Sequence, residues 1–241
     1  MGLLYTVPDK ETFLVRKKIV EEQAIPLLEK IGFEKSPFLG TCFGKYESTL
    51  SIYDLCRVTD TSLLEMIEID IHKGDRWIQI HLNILQLDSS VKSLKQLVSV
   101  SVINFKLPPT NIFRMRLNSD DFEGVPLFNY DFMFRNHKLD SYLTKSGYKK
   151  SINKLQNRII ADLSNFEKYI KRWHKKFTPL QTTIEGKIVG LTNMTVDQRL
   201  ELTGLTKQFK EANIKYKEHA KNILTWLEVD ELEIKKIIEQ A

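Results

Sequence analysis

The sequence predicts an α+β protein in which a helix precedes an antiparallel β-sheet and a hairpin of two long helices follows it. Apolar and polar residues alternate strictly on both sides of a glycine-containing turn over 64–87, which is typical of a β-hairpin with one buried face. Apolar residues recur at steps of three and four over 151–177 and over 196–228, which is typical of long amphipathic helices. We therefore place a sheet domain at 1–140 and a helical region at 141–241.

The first predicted element is a helix that begins at about Lys10, with Asp9 as its N-cap. Pro26 should kink or split this helix, because proline cannot donate the helical hydrogen bond, and Gly32 should end it. Strand-like segments follow, and together with the hairpin they predict five to seven mostly antiparallel strands. These segments are 41–46, 49–56, 97–105, 111–117 and 127–134.

The register of the hairpin determines which of its side chains share a face. A turn at Gly74-Asp75 places all the aliphatic residues on one face, as burial requires, and leaves carboxylates and imidazoles together on the other. A turn at Lys73-Gly74 would shift the pairing by two residues and keep the same faces, and we favour the first register. We expect this polar face to meet solvent or a cleft. The aliphatic pairs are Ile71–Ile78, Ile69–Ile80 and Ile67–Leu82, and the polar pairs are Glu68–His81, Asp70–Gln79 and His72–Trp77.

The second half of the chain is predicted to be helical. Thr195 and Gln198 have the spacing of a capping box, which predicts the start of the second long helix. Asp230 and Glu233 similarly predict a short final helix over 230–240. Because the two long helices have matched apolar faces, we expect them to pair as an antiparallel hairpin.

Composition indicates an ordinary folded protein, with 42% hydrophobic and 28% charged residues. No apolar run reaches the roughly eighteen residues of a membrane span, and the N-terminus has neither a basic leader nor a long apolar segment. Two cysteines are too few for a disulfide framework or a four-cysteine zinc site. We therefore expect a cytoplasmic protein with free thiols.

Positive charge is concentrated at the start of the helical region. Lys and Arg outnumber Asp and Glu by 36 to 31 over the whole chain but by 11 to 3 within 138–176. A local basic face can bind nucleic-acid phosphates, an anionic membrane or an acidic protein, or it can simply be solvated. The candidate binding residues on this face are Lys154, Arg158, Lys168, Lys171, Arg172, Lys175 and Lys176.

Catalytic motifs are absent from the sequence: there is no phosphate-binding glycine loop, nucleophile elbow, paired-histidine zinc motif or Cys-x-x-Cys. The candidate catalytic residues are Glu68, Asp70 and His81, because a carboxylate opposite an imidazole can orient a general base. A solvated polar face is the alternative interpretation. A metal ion shared by His72 and His81 is excluded, since the predicted register separates them by about 13 Å. We predict no metal and no cofactor.

The start of the chain also carries a resemblance. A helix followed by Ile31-Gly32-Phe33-Glu34-Lys35, then strands and an alternating hairpin, resembles small bacterial intracellular domains, some of which accompany toxin systems as immunity proteins. The likeness covers about the first ninety residues and includes no diagnostic motif. It implies a non-catalytic role in holding another protein.

These observations lead to one main functional hypothesis and two alternatives. The main hypothesis is a non-enzymatic binding protein, possibly of the immunity type, which engages a protein partner through its surface, including the basic helix. The first alternative is a hydrolase-like enzyme that uses the carboxylate–histidine face of the hairpin. The second is non-specific nucleic-acid binding, which the position of the aromatic residues disfavours because they lie on the apolar side of the helix.

Overall fold

A computed structural model describes residues 5–38, 40–97, 115–117, 137–176 and 189–239, and of 115–116, 172–176 and 208 it describes the backbone alone. The predicted strands at 97–105 and 127–134 lie outside the described residues, apart from Leu97, which ends a 3₁₀ turn. Within these ranges the fold is α+β, with an N-terminal helix, an antiparallel sheet and C-terminal helices, which confirms the predicted class.

The N-terminal helical segment has three parts. Helix α1 (Asp9–Ile19) continues into a π-helical turn (Val20–Ala24) and then into α2 (Ile25–Lys30). The π-turn ends two residues before Pro26, whose missing N–H and bulky ring disrupt the regular α-helical pattern. Gly32, at φ +90°, ends α2, as predicted, and donates its N–H to the carbonyl of Glu29.

The described strands form one antiparallel sheet. Its order is β1–β3–β4–β5–β6, and β2 pairs with the same edge of β3 as β1 does. The hairpin of β4 and β5 has the predicted register, with Ile69 opposite Ile80 and Glu68 opposite His81, and Gly74 takes a positive φ in its turn. The strands are β1 (Glu34–Lys35), β2 (Phe43–Glu47), β3 (Leu50–Val58), β4 (Leu63–His72), β5 (Gln79–Gln86) and β6 (Met115–Arg116).

Six described helices follow the sheet. Thr144 caps the first of them by accepting a hydrogen bond from the Gly147 N–H, and the predicted capping box of Thr195 and Gln198 is present with both of its bonds. The helices are α3 (Lys145–Ser164), α4 (Phe166–Lys176), α5 (Val196–Leu202), α6 (Thr206–Lys215), α7 (Lys217–Trp226) and α8 (Glu231–Glu239).

Both predicted long helices are divided into shorter ones. Asn165 separates α3 from α4, and Gly204, at φ +68°, lies between α5 and α6. Tyr216, at φ −144°, then separates α6 from α7. The apolar spacing continues through these breaks, which explains why periodicity alone predicted uninterrupted helices. The predicted final helix is present, and its N-cap Asp230 accepts a hydrogen bond from the Leu232 N–H.

The main hydrophobic core is shared by the sheet and the helices. One face of the sheet contributes Ile67, Ile69 and Ile80 to a continuous buried cluster that also contains Leu155 of α3 and Ile223 of α7. A second, smaller cluster covers part of the opposite sheet face. It consists of Phe38, Cys56, Leu64, Met66, Leu85, Leu87, Val91 and Leu97.

Two arginines, one buried and one partly exposed, connect helices to the sheet. Arg16 of α1 is fully buried and donates to Asp75 Oδ1 at 2.6 Å, to the Trp77 carbonyl at 2.6 Å and to the His72 carbonyl at 2.9 Å. It therefore joins α1 to the turn of the central hairpin. Arg57 of β3 has a similar role beside α4.

Arg57 donates to Glu65 Oε2 at 2.5 Å and to Glu167 Oε1 at 2.7 Å. Its guanidinium also lies 4.7 Å from the Phe33 ring centroid, within cation–π range. Burial raises the pKa of the Glu65 carboxyl, although the neighbouring Arg57 acts in the opposite direction.

None of the helices in the described ranges is long and apolar enough to cross a lipid bilayer.

Candidate functional site

The three predicted catalytic residues lie together in the structure. Glu68 and Asp70 are on β4 and His81 is on β5, and the antiparallel register places Glu68 directly opposite His81. Glu68 Oε1 lies 3.9 Å from His81 Nδ1. One ligand atom from each of the three side chains lies within 4.8 Å of the others. We call these three residues the hairpin cluster.

The expectation that this polar face meets solvent or a cleft is wrong for two of the three residues. Glu68 is only 4% exposed and His81 only 6% exposed, whereas Asp70 is partly exposed. Part of this face is covered, since the second apolar cluster packs on the same face as Glu68 and His81, farther along the strands. Alternation of apolar and polar residues cannot distinguish a wet polar face from a covered one.

The hairpin cluster is part of a row of ionisable residues across four strands. Asp54 of β3 is opposite Glu68, and Arg116 of β6 is opposite His81 in the backbone register. Asp54 is 1% exposed, and its Oδ2 accepts a hydrogen bond from the Cys42 N–H at 2.6 Å. The sequence analysis missed Asp54, although a lone carboxylate in the apolar run Ile52–Cys56 is an available signal.

Asn83 lies on the same face of β5 as His81, two residues farther along the strand. It is 4% exposed, and its Oδ1 has no hydrogen-bond partner among the described residues. A buried amide oxygen without a partner is energetically costly. Sequence reasoning missed this residue too, because asparagine in a strand has no distinctive pattern.

The chemistry available to the hairpin cluster follows from its atoms. Carboxylate oxygens beside an imidazole nitrogen can orient a general base, or they can bind a divalent cation. Access is restricted, because two of the three side chains are almost fully buried. A surface groove does occur between α7 and α8, lined by residues that include Lys217, Lys221, Asp230 and Lys235, but no residue of the hairpin cluster lines it.

The predicted basic face is found on the outside of α3 and α4. Lys154, Lys168 and Lys171 are exposed, as predicted, whereas Arg158 is half-buried. The side chains of Arg172, Lys175 and Lys176 lie outside the part of the chain that the structure describes. Three further lysines of α3 are exposed as well. We define the basic surface as Lys145, Lys149, Lys150, Lys154, Lys168 and Lys171.

Two carboxylates beside the basic surface already have basic partners. Asp140 pairs with Lys154 at 2.7 Å and with Arg158 at 3.3 Å. The hydrogen bond from Lys154, helped by the charge of Arg158, lowers the pKa of the Asp140 carboxyl below its usual range. Glu167 is exposed on α4, but it pairs with Arg57 of the sheet. Asp140 is therefore engaged with two of the seven predicted binding residues.

A second histidine–carboxylate contact is buried between the start of the helical region and α3. His137 Nε2 lies 2.6 Å from Asp162 Oδ2, and the Tyr169 hydroxyl donates to Asp162 Oδ1 at 3.2 Å. All three residues are buried. Because the main-chain N–H of Ile78 also donates to the His137 carbonyl, this group joins α3 and α4 to the central hairpin and serves the fold.

No protein-family model, curated protein or solved structure matches the chain. Its function is therefore inferred from its own residues and geometry.

Proposed function

We propose that the chain is a non-enzymatic binding protein of the cytoplasm that captures an acidic protein partner through the basic surface. The observation that carries this proposal is the set of six exposed lysines on two consecutive helices whose own acidic residues are Asp162, which is buried, and Glu167, which pairs with Arg57. A surface with one sign of charge attracts oppositely charged partners and accelerates their association. The immunity-type role that the resemblance implies is consistent with this surface.

A protein partner is favoured over nucleic acid by the side chains that accompany the lysines. Single-strand binding uses exposed aromatic rings on which bases stack, and the described aromatic residues of α4, Phe166 and Tyr169, are buried. Exposed Asn153 and Asn157 lie among the lysines of α3 and can donate hydrogen bonds to carboxylates. Sequence-independent contact with duplex phosphates is the competing outcome, and its dependence on salt distinguishes it.

Charge reversal tests the proposal directly. The variant Lys168→Glu/Lys171→Glu should lose at least about tenfold in affinity for the partner, since it replaces two attractive charges with two repulsive ones. The matched control is Lys207→Glu/Lys210→Glu on α6, where both lysines are exposed and the net charge changes equally. The measurement is partner capture from host extract, followed by reconstitution with the purified partner and titration calorimetry.

Two results would overturn this proposal. The first is equal partner affinity for wild type and for both double variants. The second is capture that disappears after nuclease treatment, with a logarithm of the binding constant that falls linearly with log[salt]. That dependence is the signature of counterion release from nucleic acid. Retained binding after nuclease treatment, lost only in the α4 variant, would support an acidic protein partner.

A second candidate function is a hydrolase-like enzyme, because Glu68, Asp70 and His81 lie close together. The 3.9 Å approach of the Glu68 carboxylate to the His81 imidazole supports it, and the burial of both side chains opposes it, because a substrate must reach the reacting atoms. Hydrolysis of a panel of ester and phosphodiester substrates tests this candidate. Activity that disappears in His81→Gln but survives in His72→Gln would favour the enzyme over the binding protein.

A further inference from the structure

We propose that the hairpin cluster of Glu68, Asp70 and His81 binds one divalent first-row transition-metal ion, with Mn²⁺ and Zn²⁺ as the best-matched ions. This inference depends on the cluster alone, and it holds whether or not the basic surface captures a partner. It departs from the prediction of no metal, for which only His72 and His81 were weighed as joint ligands.

The geometry brings three ligand atoms to one place. Two atoms bound to the same ion through bonds of about 2.1 Å lie roughly 3.0–3.5 Å apart in tetrahedral or cis-octahedral arrangements. The three atoms lie within 4.8 Å of one another, and Glu68 Oε1 and His81 Nδ1 are 3.9 Å apart. Small side-chain rotations would therefore bring all three to bonding distance without a change in the backbone register.

The strands hold these residues in place. Glu68 and His81 are directly opposite each other in the ladder, and Asp70 follows Glu68 on the same face of β4. A site built on paired strands is more rigid than one built on loops, which favours metal binding because less ordering is needed. Each of the three side chains also has a partner within the protein, and the ion would join or replace that partner.

Asn83 supplies an independent observation. It lies on the His81 face of β5, about 7 Å along the strand from His81, and its buried Oδ1 has no hydrogen-bond partner among the described residues. Amide oxygens bind hard cations and the waters that such cations carry. Asn83 follows His81 on the side away from Asp70, so an ion at the hairpin cluster would not bind it directly. A metal-bound water on the His81 side would be the hydrogen-bond donor to this oxygen, whose burial otherwise carries a cost.

The donor set indicates the class of metal. Carboxylates suit Mg²⁺, Ca²⁺ and Mn²⁺, whereas imidazole suits Zn²⁺, Fe²⁺ and other transition metals. Two carboxylates with one imidazole therefore favour Mn²⁺ or Zn²⁺ over Mg²⁺. Three protein ligands leave coordination positions for water, and Asp70, the more exposed of the three residues, marks the side from which solvent approaches.

Arg116 is the residue that a competing interpretation requires. The backbone register places this basic residue opposite His81, and a network within the protein would leave no need for a metal. A purely protein-internal network would be indifferent to chelators and to added metal. Metal titration therefore distinguishes the two interpretations without any substitution.

The experiment uses the full chain, stripped with EDTA and dialysed. Mn²⁺ binding is followed by electron paramagnetic resonance, Zn²⁺ binding by calorimetry, and thermal unfolding is recorded with Mn²⁺, Zn²⁺ or Mg²⁺. We expect one Mn²⁺ or Zn²⁺ per chain and a rise in Tm of roughly 5–10 °C at a hundredfold excess of metal over Kd. Mg²⁺ should give a markedly smaller shift.

Matched histidine variants locate the site. His81→Gln should weaken binding at least about tenfold, whereas His72→Gln, an exposed histidine on the same hairpin, should leave it unchanged. If His81→Gln does not fold, Asp70→Asn provides the same test at a more exposed ligand, and circular dichroism verifies that it folds. Wild-type protein that binds neither Mn²⁺ nor Zn²⁺ stoichiometrically would overturn the proposal, as would equal losses in the His72 and His81 variants.

Discussion

Replacement of Arg16 by methionine should lower the free energy of unfolding by about 3 kcal/mol. The side chain is fully buried, and it donates to the Asp75 carboxylate and to the carbonyls of His72 and Trp77. Removal of one member of a buried ion pair typically costs about 3–5 kcal/mol, because the other member is left as a buried charge with no opposite charge beside it. Asp75 retains 19% side-chain exposure, and water can partly replace the arginine, so the lower end of that range applies.

Methionine is a suitable replacement because it fills similar volume without adding a charge or a branch. For a chain of 241 residues, a loss of 3 kcal/mol corresponds to a decrease in Tm of roughly 6–12 °C. Urea unfolding followed by tryptophan fluorescence and circular dichroism measures the change, with the slope of the transition reported for each variant. Arg16→Lys should be intermediate in stability, since it keeps the charge but not the planar fork.

The control for this prediction is Lys18→Met on the same helix. Lys18 is 70% exposed and makes only a surface pair with Glu22 at 3.7 Å, so its loss should cost less than about 1 kcal/mol. Both substitutions remove one positive charge from α1. If Arg16→Met is no more destabilising than Lys18→Met, then the buried arginine does not hold α1 to the hairpin turn and the reasoning is refuted.

Three further predictions concern individual residues. Burial raises the pKa of the Cys56 thiol to about 12. A thiol reagent at pH 8 should therefore modify Cys42 in the native protein and Cys56 only after denaturation. Rapid reaction of both cysteines in the native protein would contradict this. Lys154 lowers the pKa of Asp140 in the folded protein below its ordinary 3.8. The Asp140 carboxylate therefore stabilises the fold above pH 3.8, and this stabilisation is lost as the pH falls through the lower, folded-state pKa. Unfolding experiments between pH 5 and pH 2 should show a smaller stability loss in Asp140→Asn, and an identical slope would count against the pair. Gly204→Ala should cost about 1 kcal/mol in thermal unfolding, since φ is +68° and no atom crowds the added methyl group, and an unchanged Tm would refute backbone strain there.

The candidate site could be predicted in part because strand pairing follows local rules. Period-two alternation around Gly74 placed Glu68 and His81 on one face, and the favoured of two possible turns placed them opposite each other, as the structure has them. The row that extends to Asp54 and Arg116 could not be predicted, because it depends on which strands lie beside β4 and β5. The role of Asn83 was missed for the same reason, since nothing in its neighbours along the chain distinguishes it.

The basic surface was predicted with similar success and similar limits. Helical spacing correctly identified Lys154, Lys168 and Lys171 as exposed. It gave no indication that Asp140, which precedes α3, would pair with Lys154 and Arg158. Such contacts bring together a loop and a helix face, and their formation depends on how the chain enters the helix.

By itself, the amino-acid sequence determined the α+β class, the hairpin register, the capping box at Thr195 and the end of α2 at Gly32, because each of these depends on residues within a few positions of one another. Only the tertiary structure decided that Glu68, His81 and Asn83 on the polar face of the hairpin are buried and that helices and sheet share one hydrophobic cluster. Burial depends on what packs against a face from a distant part of the chain, and alternation records only that the two faces of a strand differ.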